Sequence, residues 1–238
     1  MASLLQVSSV SKHFGGFTAL SEVSLDIAQG ERFGLIGPNG SGKTTLINCI
    51  SGTLRNETGS IVFEGREVSR LPAYQRTRLG IARSFQVPRP FASMSVLDNL
   101  LVPYEYVEHL KEADAGKQAM DILQRIGLAS KAHTQSNQLS QVELRKLELA
   151  RAMAARPRLL ISDEAMAGLS GAEVDEVLEI LFDLNASGIT VIMIEHIMQA
   201  VMRFSQRVVC LDAGKIICEG APAEIVKNAD VQRAYLGA

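Results

Sequence analysis

What this chain lacks narrows its biology before any motif is considered. Its three cysteines, Cys49, Cys210 and Cys218, are odd in number and have no metal-type spacing, which excludes a disulfide framework and fits a reducing compartment. No apolar segment approaches the roughly 18 residues of a membrane-crossing helix, and the run from Ile189 to Ile194 is far too short, so any membrane contact is expected to be indirect. The start, Met1-Ala2-Ser3-Leu4-Leu5, has neither the charged opening nor the long apolar middle of a signal peptide, and export is not expected. Net charge is −2, with lysine and arginine scattered rather than gathered into a stripe, so no nucleic-acid partner is expected. There are no internal repeats and no low-complexity tracts. The 238 residues nevertheless suffice for one large domain, or a core with a subdomain, around a substantial hydrophobic centre.

What is present centres on Gly37-Pro38-Asn39-Gly40-Ser41-Gly42-Lys43-Thr44-Thr45, which fits G-x-x-x-x-G-K-[ST]. The apolar run Arg32 to Ile36 before it reads as a buried strand, and Thr44 to Ile50 after it as the start of a helix. Strand, glycine turn and helix in that order make a phosphate-binding loop. Gly37, Gly40 and Gly42 leave room for backbone N–H groups to point inward around a polyphosphate, aided by the positive end of the helix. Lys43 supplies a mobile charge for the β- and γ-phosphates, the Thr44 hydroxyl is placed to ligate a bridging magnesium ion, and Thr45 adds a phosphate contact.

Around the loop the chain reads as α/β. Residues 4–10, 23–27 and 59–68 have the short alternating runs of a small, largely antiparallel sheet, with Glu64-Gly65 as a turn. Phe14, near a strand end, either packs there or stacks on a nucleotide base. A basic helical stretch from residue 72 leads to a strand ending near Phe85 and Gln86. Then Pro88 and Pro90 break the pattern, and residues 95–101, 113–126 and 141–155 carry helical periodicity. The expected organisation is a single domain, 1–238. Residues 1–86 and 156–238 form a nucleotide-binding core with its β subdomain, and 87–155 form an inserted helical subdomain. From Pro157 a strand runs into Asp163-Glu164, an amphipathic helix spans 171–187, and a strand at 189–194 leads to Glu195-His196. A hairpin turning at Asp212-Ala213-Gly214 and a helical tail from Ala223 to Leu236 follow. Alternating parallel units put functional groups at the C-terminal ends of strands, where Asp163, Glu164, Glu195 and His196 all fall.

The acidic pair supplies what an ATP–magnesium site needs beyond the loop. Asp163 holds the metal, directly or through a water, and Glu164 orients and deprotonates the water that attacks the γ-phosphate.

With these residues in place, the chain resembles the ATPase subunits of ATP-binding cassette (ABC) transporters over nearly its whole length. The resemblance is carried by Gly37 to Thr45, Gln86, Leu139-Ser140 with Arg145 to Ala152, Leu160 to Glu164, and Glu195-His196. Two further stretches, Ser84 to Phe91 and Val231 to Gly237, look like the branch serving branched-chain amino acid, amide and urea importers. The resemblance implies a P-loop NTPase fold with a RecA-like core, an antiparallel β subdomain and an inserted α-helical subdomain. It implies a dimer in which each ATP lies between one subunit's phosphate loop and the signature helix of the other, which begins at Ser140. Gln86 would sense magnesium and the attacking water, His196 would contact the γ-phosphate and position that water, and Phe14 would face adenine. Transmembrane permease subunits, a second ATPase subunit and, indirectly, an external solute-binding protein are the implied partners, at the cytoplasmic face of the membrane.

Two departures from the family pattern fall on parts that act across the dimer. Leu-Ser-Gly-Gly-Gln is replaced by Leu139-Ser140-Gln141-Val142-Glu143, so both glycines that let the helix terminus approach the partner's γ-phosphate are absent. Ser140 to Glu143 still fits a capping box. Ser170 stands where an aspartate normally helps the two sites communicate. The expectation is an asymmetric pair in which this chain gives a competent loop to one site and a poor signature to the other. A weakly hydrolysing regulatory subunit is the alternative. A small-molecule kinase shares the loop but leaves Gln86, the signature region and His196 unexplained.

Overall fold

The computed structural model describes residues 2–85, 88–108 and 112–236. Strand β1 (Ser3–Phe14) and strand β2 (Phe17–Ala28) form a hairpin that turns at Gly15-Gly16. Both alternate buried with exposed positions, as expected of strands with one wet face. Strand β3 (Arg32–Ile36) feeds the phosphate loop, and helix α1 (Lys43–Ser51) follows it, starting one residue earlier than the sequence predicts. Strands β4 (Thr58–Phe63) and β5 (Arg66–Glu67), joined by the turn at Glu64-Gly65, complete a four-stranded antiparallel sheet in the order β2-β1-β4-β5.

Helix α2 (Ala73–Arg78) leads to strand β6 (Ile81–Ser84). Helices α3 (Val96–Pro103), α4 (Glu112–Arg125) and α5 (Gln141–Ala154) then pack together, with a π-helical turn at Tyr104–Glu108 that the sequence does not predict. Ser95 caps α3, accepting the Asp98 N–H at 3.1 Å, while the Asp98 carboxylate accepts the Ser95 N–H at 3.2 Å.

Strand β7 (Leu159–Asp163), helix α6 (Gly171–Ala186), strand β8 (Thr190–Ile194), helix α7 (Met198–Phe204), strands β9 (Arg207–Asp212) and β10 (Lys215–Gly220), and helices α8 (Pro222–Ile225) and α9 (Ala229–Leu236) complete the order. The tail is thus two helices rather than one, and α7, seven residues long, is too short to announce itself by periodicity.

A six-stranded sheet runs β10-β9-β3-β8-β7-β6, parallel except for β10. Strands β7 and β8 are buried at every position, which is why they read as unbroken apolar runs. Phe33, Leu35, Ile161 and Ile192 point to the core shared with α1 and the antiparallel sheet. Leu160, Val191 and Met193 point the other way, to a core with α5, α6 and α7. Helix α6 buries Val174, Val177, Leu178, Leu181 and Leu184 on one stripe. At Gly34 an added Cβ would lie 2.6 Å from Ser205 Oγ and 3.0 Å from Val201, so glycine there is what lets the end of α7 lie against the sheet. The result for function is geometric: the phosphate loop, Phe85 after β6, and the residues following β7 and β8 all emerge at one end of the parallel strands.

Candidate active site

The loop leaves β3 at Gly37, whose φ is +148° and whose added Cβ would collide with the Leu211 carbonyl on the neighbouring strand. Lys43 folds back over it, donating from Nζ to the carbonyls of Gly37 at 2.7 Å and Pro38 at 3.0 Å. Burial lowers the Lys43 pKa, an effect opposed by the nearby carboxylates of Glu164 and Asp163. An arriving polyphosphate would supply stronger acceptors for a cation held there at a desolvation cost. Helix α1 has no side-chain cap at Gly42 and no acidic residue in its first turn, so its positive end faces the loop uncompensated. Ser41 Oγ is buried without a hydrogen-bond partner, an orphan that a phosphate oxygen would satisfy.

Across the cleft, Glu164 sits in the left-handed region with φ of +49°, held by its N–H to the Ile194 carbonyl at 2.8 Å. Its Oε1 is hydrogen-bonded to His196 Nε2 at 2.8 Å. Parallel pairing of β7 with β8 makes this contact, since Asp163 and Ile194 are register partners and Glu164 and Glu195-His196 follow them. Phe14, Phe17, the loop from Asn39 to Thr45, Glu164 and His196 line one cleft of about 220 Å³. The Thr44 residue is exposed at the head of α1. Phe14 and Phe17 are exposed at the rim, with Lys12 Nζ 5.2 Å from the Phe14 ring.

Asp163 lies behind this cleft, with one carboxylate oxygen taken by Arg83 Nη2 at 2.6 Å. The residues suit magnesium: a threonine hydroxyl and a carboxylate near a phosphate cradle are the few protein oxygens that ion takes, the rest coming from phosphate and water. Among the described residues no cluster of three or more His, Cys, Asp or Glu offers an all-protein cage.

Ser140 is not brought into this cleft. It caps α5, its N–H donating to Glu143 Oε2 at 2.9 Å and its Oγ accepting the Glu143 N–H at 3.4 Å, while Lys131 pairs with Glu143 at 2.5 Å. Gln141 is exposed and lies along its own chain, Nε2 donating to the Ala167 carbonyl in the loop after Glu164 at 3.4 Å. Ser170 starts α6, with Glu173 Oε2 accepting from its N–H at 2.8 Å and its hydroxyl at 2.7 Å. Gln86 lies outside the described residues.

Three more residues adjoin the site; Glu195 was expected at a strand end, whereas the contacts of Tyr235 and Arg83 were not anticipated. Glu195 is buried and accepts the Met166 N–H at 2.9 Å. Burial pushes its carboxyl up to about 7, with the Glu164 and Asp163 charges adding and the Met166 N–H and Arg145 opposing. Tyr235 on α9 reaches back so that its hydroxyl accepts the Gly37 N–H at 2.8 Å. Arg83, which holds Asp163, is the third. The only sequence signal for it was an arginine inside a buried strand, a charge that must find a partner.

The ABC transporter family matches residues 20–167, and the family described as branched-chain amino acid ATP-binding cassette transporter matches residues 215–238. The high-affinity branched-chain amino acid transport ATP-binding protein LivG of Salmonella typhimurium is 38% identical, over 98% of this chain and 98% of its own length. The probable LivG of Archaeoglobus fulgidus is 35% identical over 99% and 96%. The lipopolysaccharide export system ATP-binding protein LptB of Acidithiobacillus ferridurans is 34% identical over 100% and 98%. Among solved structures, the ADP conformation of MJ1267, an ATP-binding cassette of an ABC transporter, superposes over the whole of both chains with a TM-score of 0.92 at 30% identity.

Proposed function

The chain belongs to the ABC transporter family, and on that premise we propose that it is the ATP-hydrolysing subunit powering an importer of branched-chain amino acids or related small polar solutes. The observation that carries this reading is the convergence of the phosphate loop with the Glu164–His196 pair on one cleft.

In this reading the loop amides, Lys43 and Thr45 bind the phosphates, and Phe14 stacks on the base. Thr44 and Asp163, with Gln86, hold magnesium, which neutralises charge developing on the phosphate oxygens. Glu164 takes the proton of the attacking water, and His196 keeps that carboxylate aimed and touches the γ-phosphate. The cleft is smaller than the roughly 300–1,000 Å³ of complete ligand pockets, which supports a half-site finished by the signature helix of a second ATPase subunit. Ser140 lies outside the cleft, in keeping with service to the partner's nucleotide.

A second groove, of about 320 Å³, lies beside β6 and α5 and is lined mainly by apolar atoms, with Phe85, Pro103, Tyr106 and Ala152 among its walls. It is the proposed seat of a permease segment on the cytoplasmic face. No helix among the described residues is long and apolar enough to cross a membrane, so the chain reaches the bilayer through that permease. Phe91 is exposed but does not line the groove, so the proposed contact falls on Phe85 and Tyr106.

The chain isolated from its native membranes with its permease, and placed in vesicles, should couple ATP hydrolysis to leucine uptake. Glu164→Gln should abolish both while leaving nucleotide bound. Hydrolysis that survives Lys43→Ala would overturn the reading. Gln141, occupying the head of α5 against the Ala167 carbonyl of its own chain, favours, as a second reading, a subunit that closes on ATP but turns it over weakly; for such a subunit Glu164→Gln would change little.

A further inference from the structure

Arg83 is the one arginine of the strand Ile81–Ser84, and its side chain is 11% exposed. Its guanidinium makes a fork: Nη2 donates to Asp163 Oδ2 at 2.6 Å and Nη1 to Asn48 Oδ1 at 2.6 Å. Asn48 belongs to α1, the helix behind the phosphate loop, and its side-chain oxygen also accepts from Thr53 at 3.1 Å. On its other side the guanidinium lies 5.3 Å from the centroid of the Phe85 ring. Arg83 and Phe85 both line the apolar groove beside α5, whereas Glu164, the residue after Asp163, lines the nucleotide cleft. One planar cation in the groove wall therefore has a hand on the loop helix and on the carboxylate whose chain neighbour lines the cleft.

We propose that Arg83 is a positioning residue that competes with magnesium for Asp163, and that a permease segment entering the groove against Phe85 decides which cation wins. The inference rests on the transporter-ATPase reading above. The carboxylate cannot give its full charge to a metal while a guanidinium occupies one oxygen, and two cations on one carboxylate repel. With the groove empty, Arg83 holds Asp163 in the guanidinium-bound state and binding of metal–nucleotide is restrained. Contact on the Phe85 side withdraws the guanidinium and releases the carboxylate. The other cation of that groove, Arg151, is held by Glu148 and by the Arg89 carbonyl, each at 2.8 Å, so it does not replace Arg83 at Asp163.

The test is the ratio of fluorescent-ATP affinity with magnesium to that with chelator, measured on the whole nucleotide-free protein. General damage lowers both affinities and leaves the ratio unchanged. Arg83→Met should raise the ratio about tenfold, the worth of one hydrogen bond to a charged group. Arg83→Lys keeps the charge but not the fork, and should fall between that variant and the wild type. Phe85→Ala, on an exposed side chain that lines the groove and not the nucleotide cleft, should raise the ratio about twofold to fivefold by loosening the stacked guanidinium. Adding permease-containing vesicles should raise the ratio for the wild type and not for Arg83→Met. A ratio lowered or unchanged in Arg83→Met would overturn the competition and leave the transporter reading intact. ATP affinity that Lys43→Ala leaves unchanged, with magnesium and with chelator alike, would instead strike the transporter reading itself. Should Arg83→Met fail to fold, the lysine and Phe85 variants carry the same decision.

Discussion

Replacing Glu195 with glutamine should stabilise the nucleotide-free protein by an amount that pH controls. The carboxyl is about 2% exposed and burial raises its pKa from 4.5 to about 7. Between those values the folded chain keeps a proton that the unfolded chain has released, so stability falls as pH rises through the window. The slope is about 1.4 kcal/mol per pH unit. The window spans about 2.5 units, from 4.5 to 7, so the cost levels off near 3 kcal/mol above pH 7. Glutamine carries no charge in either state, and its amide oxygen keeps an acceptor for the Met166 N–H. Denaturant unfolding of both proteins from pH 4.5 to 8 checks the reasoning. The variant's advantage should widen by about 3 kcal/mol from the acid end of that range to the alkaline end. An advantage that stays flat, or a variant less stable than wild type at pH 8, would refute it.

Lys43→Ala should weaken ATP binding by about tenfold to a hundredfold, the worth of one to two kcal/mol-scale charged hydrogen bonds, and titration calorimetry would detect it. Tyr235→Phe leaves the Gly37 N–H without its acceptor, and should weaken ATP binding by about fivefold while leaving the far-ultraviolet spectrum unchanged. Gln141→Gly combined with Val142→Gly reopens the head of α5. In the purified chain alone it should raise ATP turnover by about tenfold, and unchanged turnover would remove the argument for an asymmetric pair. Leu181→Ala, in the stripe that α6 buries, should cost about 2–5 kcal/mol in denaturant unfolding without altering nucleotide affinity in the folded fraction.

Much of the architecture was readable because its signals are local. Strands β3, β7 and β8 are buried on both faces and so appear as apolar runs. Helix α6 shows its stripe over four turns, and the loop from Gly37 to Thr45 is contiguous. The failures are equally physical. Helix α7 buries only Ala200, Val201 and Phe204, and its place depends on the missing side chain of Gly34, a fact about packing rather than pattern. The tail breaks where the Asn228 side chain accepts the N–H groups of Asp230 and Val231, starting α9 afresh. At the site, the Arg83–Asp163, Glu195–Met166 and Tyr235–Gly37 contacts join residues 80, 29 and 198 positions apart. Strand order decides such meetings, and the sequence does not declare strand order.

That order has a consequence for how the molecule comes into being. The strand carrying the phosphate loop is made within the first forty residues, yet its two hydrogen-bonded neighbours are β8 and β9, both synthesised after residue 189. As the polypeptide leaves the ribosome, the loop therefore waits without its flanking strands until most of the chain has emerged. A prematurely terminated chain lacking β8 and β9 would carry every residue of the loop and no rigid frame for it, so competence to engage a nucleotide arrives late in translation, as a property of the nearly finished molecule.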